Sequence, residues 1–416
     1  MEGPGRDEII QLILCQLSEY GFSNLSQAIA AHTKVPMTAD SNSRLADLVR
    51  LGLQSEAQGG GASASAEADA NTDAHSVGGA SLDEAGGDGG PAGPWRVLCK
   101  VKHRGVASAA AFSCDGRYVA TGAADATIKL VDMDRVAGAG RQGDASAAVV
   151  RTLQDHEAGV SGLAFHPNGL VLASCSADQT IRLFDLSVTH GTNAFQSFRD
   201  GHAFRSIAFH PSGDYIAAGG DAPEVRLYSV RSGKAYLLPG TGGGGGPSPM
   251  NHTAMITHVS YAANGAAVAS ASRDGSVKIW DGASGRCVRT IDRAHDGRPA
   301  TAAVLSPDAR HVLTAGLDSC VRLWDASSGR VVQEYTGASM DAAGGPAAFS
   351  HDGAQVMAAD AASNSVVAWD AASGQLLTHA AAHSQRISWL VPSPTTSAFV
   401  TCSDDECARI WGSATH

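Results

Sequence analysis

Nothing in this sequence comes close to the ~18 consecutive apolar residues of a membrane-crossing helix. Its start, MEGPGRDEII, places acids ahead of the first apolar residues and lacks the basic opening and small-residue cleavage site of a secretory signal. A soluble chain that stays inside the cell is expected. There are eight cysteines but no C-x-x-C pair, which speaks against a zinc site and for reduced thiols. Cys99, Cys175, Cys287, Cys320 and Cys402 fall in or beside strand-like segments. Charge is sparse as well, with 17% of the 416 residues Asp, Glu, Lys or Arg. The net charge of −11 is unevenly divided: residues 1–94 hold 4 basic and 13 acidic side chains, the remainder 26 against 28. That near-neutral remainder gives no support to a general attraction for nucleic acid phosphates and leaves only a local basic patch as a route to them.

Lys and Arg are missing altogether from Glu56 to Pro94, where the sequence is Gly, Ala, Ser and acid. Such a composition buries too little apolar surface to offset the entropy of ordering, so 56–94 is expected to be a disordered linker. Ahead of it, apolar residues recur at helical spacing. Ile9, Ile13, Leu14 and Leu17 precede Gly21, Leu25 and Ile29 follow it, and Leu45, Leu48, Val49 and Leu53 come after Pro36. Three short helices within residues 1–55 have little core of their own, so self-association is expected to supply the missing surface.

What the chain has in abundance is repetition. One phrase returns seven times, ending at Val131, Phe184, Tyr228, Trp280, Trp324, Trp369 and Trp411, plainest in SVKIWD and CVRLWD. The spacing runs from 42 to 53 residues, and turn pairs such as Asp115-Gly116, Asn168-Gly169, Ser212-Gly213, Asn264-Gly265 and Asp352-Gly353 join strand-like runs inside the copies. Self-similarity at this period predicts an all-β seven-bladed propeller over residues 95–416. The two longest gaps place insertions at about 134–149 and 240–250. Trp411 ends the third strand of the last copy and only five residues follow it. The missing outer strand is therefore expected from Trp95–Val101, which would close first blade on last and remove the open edges.

Each phrase carries a hydroxyl and an Asp at fixed distances before its aromatic residue, with a histidine upstream. The sets are His252, Ser270, Asp274, Trp280; His295, Thr314, Asp318, Trp324; and His383, Thr401, Asp405, Trp411. A Ser-His-Asp hydrolase is excluded because the set recurs and no nucleophile elbow accompanies it. In the third copy (Ala218, Ala222) and the sixth (Ala359, Ser363) the hydroxyl and Asp vanish together, as members of one hydrogen-bond network would. The His379/His383 pair lacks the helix that would make its spacing a zinc motif, and Gly240–Gly246 lacks the Lys-Ser/Thr of a phosphate loop. No catalytic residue, metal or cofactor is assigned. The repeat does not require Arg205, Arg298 and Arg386, each three residues after a histidine, and they are candidates for binding an acidic or phosphorylated peptide or an RNA backbone.

The repeats resemble WD-repeat proteins, in which the His, Ser/Thr, Asp and Trp form a buried structural network. Further, WDGASGRCVRTIDRAHDG, GLDSCVRLWDASSGRVVQEYTGA, FHPSGDYIAAGG and SPTTSAFVTCSDDECARIW look like the fifty-kilodalton WD-repeat subunit of the cleavage stimulation factor, and DEIIQLILCQLSEYGFSNLSQAIAAH resembles its LisH-like dimerisation helices. The resemblance implies a nuclear, non-enzymatic scaffold for pre-mRNA 3′-end cleavage and polyadenylation. It further implies a homodimer through Ile9, Ile13, Leu14, Leu17, Leu25 and Ile29. The implied partners are the complex's helical-repeat scaffold and RNA-recognition subunits, with pre-mRNA reached mainly through the complex and no membrane involved. The other class that fits a LisH-like start and a WD ring is a substrate receptor of a cullin-type ubiquitin ligase. The Trp-Asp-x-Arg of adaptor-docking receptors is absent, the phrases continuing WDGA, WDAS and WDAA.

Overall fold

The computed structural model describes residues 95–138, 148–188, 191–238, 251–340 and 345–413. The helices expected in 1–55, the linker and the Gly-rich loop at 240–249 lie outside the described residues. Seven four-stranded antiparallel sheets form a ring of blades. Blades 1 to 6 span 107–154, 160–199, 204–238, 256–291, 300–335 and 347–381. Blade 7 takes three strands from 387–413 and its fourth from Trp95–Lys102. Innermost strands of consecutive blades pack side by side, and the first packs on the seventh.

The second strand of each blade shows why these sequences form sheets. Val171–Ser176 (VLASCS), Ala267–Ser272 (AVASAS) and His311–Gly316 (HVLTAG) are buried at every position after the first. Held between two blades, such a strand buries both faces, and its sequence is a run of small and β-branched residues rather than an alternation. Outer strands face solvent instead, as in Val331–Tyr335, where only Tyr335 is buried.

The expected closing strand is in place. Trp95–Lys102 pairs antiparallel with Cys407–Ser413, from Trp95 opposite Ser413 to Lys102 opposite Cys407, with a bulge between Val97 and Cys99. Cys99 and Val101 share one apolar cluster with Ala107 and Val119 of blade 1 and Val400 and Ile410 of blade 7. A single segment thereby completes one blade and leads into the next. Within the first insertion a short helix, Met133–Gly138, precedes residues outside the described set.

Two side-chain devices lock neighbouring blades. The second residue of the innermost strand donates its hydroxyl to the first carbonyl of the next in four blades, Ser108 to Val160, Ser161 to Phe204, Thr257 to Ala300 and Ser388 to Ala107, and Thr301 donates to Gly345, two residues ahead of the blade 6 strand. Arg205 occupies that position in blade 3, and in blade 6 Pro346 follows the Gly345 acceptor just ahead of the strand, so neither supplies a belt hydroxyl. On the opposite face the hairpin turns interlock. Gly213 and Gly265 have φ of +83° and +71°, and a Cβ on either would lie 2.1 or 2.6 Å from the imidazole Nε2 of His166 or His210 in the preceding blade. These glycines are required twice over, by backbone and by neighbour. At the middle of the ring His258 of blade 4 meets Trp389 of blade 7, ring centroids 5.7 Å apart, so large side chains fill the centre at that level.

Val101 is buried in the closure cluster. Val101→Asp is expected to leave an unpaired buried charge and cost more than about 3 kcal/mol, read as a lowered urea midpoint. Asp at the exposed Val97 should leave the midpoint within about 0.5 kcal/mol of the native value.

Candidate functional site

The four-residue sets are assembled by strand geometry. The hydroxyl sits on the doubly buried second strand, the aromatic residue two positions along the neighbouring ladder, and the histidine and Asp in the loops at one end. In blade 4 Trp280 Nε1 donates to Ser270 Oγ at 2.9 Å, and that hydroxyl meets His252 Nε2 at 2.7 Å. His252 Nδ1 lies 2.9 Å from Ser276 Oγ and 3.4 Å from Asp274. In blade 5 Trp324 and His295 reach Thr314 at 2.8 and 2.9 Å, and His295 reaches Asp318 at 2.8 Å. Blade 7 repeats the pattern through Trp411, Thr401, His383 and Asp405 at 2.8, 2.7 and 2.9 Å. Blades 1 and 2 keep the histidine and hydroxyl (His103 to Thr121 at 2.9 Å, His156 to Ser174 at 2.6 Å) beneath Val131 and Phe184.

Burial sets the charge states. Loss of hydration pushes the imidazoles of His156, His252 and His383 below their ordinary range and His103 down to about 4. Burial alone would raise the carboxyl of Asp274, but hydrogen bonds from His252, Ser276 and the Thr253 amide hold it well below the usual range. Asp178 is held at about 2 in the same way, burial being outweighed by Thr180 and His156. In blades 1, 2, 4 and 7 neutral histidines linked to buried hydroxyls form a buried scaffold. His379 and His383 do not converge on one point: His379 turns to Ser365 at 3.1 Å, while His383 is engaged in its own blade. Among the described residues no group of three His, Cys, Asp or Glu stands close enough to hold a metal ion.

Two blades differ from the sequence reading. In blade 3 the histidine position belongs to Asp200, four residues before the innermost strand, and His202 is exposed. Tyr228 spans the space left by the missing hydroxyl and donates to Asp200 at 2.9 Å, while Arg226 pairs with the same carboxylate. The network is rebuilt rather than lost. In blade 6 one extra residue in the turn shifts the register, so that Ala358, opposite Val367, matches Ser270 opposite Lys278. Trp369 donates instead to the Thr336 carbonyl at 3.0 Å, and Asp360 gathers Ser339 and Ser363.

Sequence reasoning missed the cation two residues before the phrase aromatic: Lys129, Arg182, Arg226, Lys278, Arg322 and Arg409. Arg322 is the fullest case, with Asp318 at 2.7 Å and Asp296 and Glu334 at 3.1 Å. Arg182 reaches Asp155 at 2.6 Å and Asp178 at 3.9 Å, and Arg409 reaches Asp405 at 3.8 Å. The signal was present in TIRLFD and CVRLWD. Arg205, Arg298 and Arg386 stand at the same end of the innermost strands but at different depths. Arg205 follows the first strand residue, Arg386 precedes it by one and Arg298 by two. Arg205 pairs with Asp221 at 2.7 Å, Arg386 with Asp404 at 3.1 Å, and Arg298 donates to the Leu317 carbonyl at 3.2 Å.

Ser270→Ala would orphan His252 Nε2 and Trp280 Nε1 together, and a loss of about 2–4 kcal/mol is expected by urea denaturation. Adding Trp280→Phe should cost less than it does in the native background. The depressed histidines also fix a pH dependence. Below ~6.5 the unfolded chain binds protons that the folded chain refuses, so stability is full above that pH and falls as pH drops toward about 4. His103→Gln should flatten the decline of the urea midpoint in that window.

A family model described as WD domain, G-beta repeat matches residues 96–132, 147–185, 194–229, 248–281, 285–325 and 374–412, more than half of the chain. The chain is similar to Cleavage stimulation factor subunit 50 of Arabidopsis thaliana, 35% identical over 413 residues, with 96% of this chain and 94% of that protein covered. WD repeat-containing protein VIP3 of the same species is 28% identical over 46% of this chain and 57% of its own length. Pre-mRNA-processing factor 19 homolog 2, also from Arabidopsis thaliana, is 29% identical over 41% and 29%. By the repeat match and the end-to-end likeness, the chain belongs to the WD-repeat family and, within it, to the family of cleavage stimulation factor subunit 50.

Proposed function

We propose that this chain is a non-enzymatic scaffold subunit of a nuclear cleavage stimulation factor, acting in pre-mRNA 3′-end cleavage and polyadenylation. The observation that carries this reading is the extent of the likeness. An alignment of 413 residues cannot fit within residues 95–416, so it runs past the ring into the segment before it. The relatives matched over less than half of this chain carry no such argument. The networks support the same reading, because the recurrent histidines and hydroxyls of blades 4, 5 and 7 are bonded to one another inside the blades.

In this reading Ile9, Ile13, Leu14, Leu17, Leu25 and Ile29 join two copies. The ring presents its faces to the helical-repeat scaffold subunit, which also holds the RNA-recognition subunit, and pre-mRNA is reached through the complex. Arg205, Arg298 and Arg386 offer guanidinium groups at one end of the ring to an acidic or phosphorylated segment or an RNA backbone. Their pairing with Asp221 and Asp404 means that a ligand there competes with existing surface ion pairs, each worth about 0–1 kcal/mol.

Affinity purification of the tagged full-length chain with mass spectrometry tests this. Polyadenylation factors and the untagged second copy should be recovered. Leu14→Asp with Leu17→Asp should remove the second copy, and alanine at the three arginines should weaken recovery of at least one partner. Recovery of a cullin adaptor without polyadenylation factors would refute the proposal.

A further inference from the structure

Each of the seven blades ends at the circumference on an outer strand with one unpaired edge. Natural sheets guard such edges with charge, Pro or bulges. The guards can be read blade by blade. Arg151 lies in Val149–Gln154, Arg199 in Gln196–Arg199, Arg289 in Cys287–Ile291 and Glu334 in Val331–Tyr335, while the closing strand carries Arg96, Lys100 and Lys102. Blade 3's edge, Ala235–Leu238, is only four residues long and is bracketed in sequence by Lys234 and Pro239.

Blade 6 carries a bulge on its outer strand, as blades 1, 4, 5 and 7 do, but neither charge nor Pro. Its outer strand, Leu376–Ala381 (LLTHAA), has six residues with no Lys, Arg, Asp, Glu or Pro. Leu376 and Leu377 are 51% and 48% exposed. Blade 6 itself has no lysine or arginine: none occurs from Val331 to Gln385, a stretch that contains Glu334, Asp341, Asp352, Asp360 and Asp370, while Arg96 follows Trp95 in the closing strand of blade 7. The turn that ends in Arg286 and Arg330 in blades 4 and 5 ends in Gln375 here. Beside the edge, on the side facing blade 7, lies a cavity of about 230 Å³. Thr378 of the edge strand lines it with Trp95, Met357 and Ala398, and Asp352 stands among its polar lining.

We propose that the Leu376–Ala381 edge is a strand-addition site for an extended partner segment in which Lys or Arg alternates with apolar residues. Its backbone would continue the blade 6 ladder, and its side chains on one face would enter the cavity between blades 6 and 7. The apolar edge supplies burial, the cavity a pocket for alternate side chains, and the acidic side chains of blade 6, with no lysine or arginine among them, favour a basic strand over an acidic one. Asp352 is suited to receive the cation because the Ser350 hydroxyl and the Ala354 amide hold its carboxyl below the usual range. The same acidic side chains disfavour nucleic acid. This assignment does not rest on a role in 3′-end processing and stands or falls separately.

The test uses the full-length chain and a fluorescent decapeptide of alternating Lys and Val, with a Glu-Val decapeptide as the charge-reversed control. The Lys-Val peptide should bind more tightly and slow amide exchange at 376–381. Leu377→Lys should weaken it roughly tenfold and Asp352→Asn roughly threefold. Val288→Lys on the blade 4 edge, where Val288 is 63% exposed, should not change it. Leu377 is the extra residue of a bulge, between partners Leu376 and Thr378, so its replacement spares the ladder. Equal binding of the Glu-Val peptide, protection elsewhere, or an equal effect of Val288→Lys would overturn the proposal. So would displacement of the peptide by a single-stranded RNA whose own binding Leu377→Lys weakens.

Discussion

A hydroxyl on a strand with both faces buried can find a partner only inside the protein, and each blade is arranged around that constraint. Ser270, Thr314 and Thr401 are fully buried and each serves two ring nitrogens, one from an indole and one from an imidazole. The imidazole passes the link to an Asp in the facing turn, directly in blades 5 and 7. One group on the strand thus fixes two loops that are far apart in sequence. Removing an acceptor while its donors stay buried costs about 1–3 kcal/mol for each orphan, whereas removing a whole set is nearly neutral. The seven blades obey this asymmetry. Where the indole alone is missing, in blades 1 and 2, histidine and hydroxyl remain as a pair. Where the hydroxyl is missing, in blade 3, the histidine is missing too, and Tyr228, Asp200 and Arg226 form a different closed set.

The same constraint explains what could be read in advance. The phrase, the Gly turns and the doubly buried strand are local patterns, so the blade count and the closing strand Trp95–Lys102 followed from spacing alone. The substitute networks are not local. Asp200 takes the histidine's place because it stands four residues before the strand, whereas the eye goes to His202 in the sequence RDGH. The register slip in blade 6 comes from one residue added to a turn, which only strand pairing reveals. The cations at Arg182, Arg322 and Arg409 were visible but ambiguous. A charged residue in the third strand of a blade reads as a solvent-facing alternate, and its stem does lie along the sheet while its head reaches the network carboxylates.

The arginine trio shows the limit of counting from a motif. Three residues after a histidine is one structural place only if the histidines are equivalent. His383 is four residues before its strand, His295 five, and His202 only two. Arg205 consequently falls inside the strand, in the very position that carries the blade-to-blade hydroxyl elsewhere, and Arg298 and Arg386 fall in the loops ahead of it.

Arg205 has a counterpart in Pro346, just ahead of the blade 6 strand, and neither supplies a belt hydroxyl. The network's first residue sits four positions ahead of the innermost strand, and the belt hydroxyl sits one position inside it, so a single short loop presents both. A loop that keeps its histidine holds the strand entry in one path, and the hydroxyl then meets the next blade's carbonyl. In blade 3 Asp200 replaces the histidine and Arg205 the belt hydroxyl. In blade 6 Gly345-Pro346 enters the strand after a gap in the described residues, and the strand is three residues long. In blade 3 the two devices are absent together. The seams that follow blades 3 and 6 rest on other contacts: the Val259 amide of blade 4 donates to Ser206 at 3.0 Å, and Ala348 and Met357 of blade 6 share one apolar cluster with Ile387 and Leu390 of blade 7.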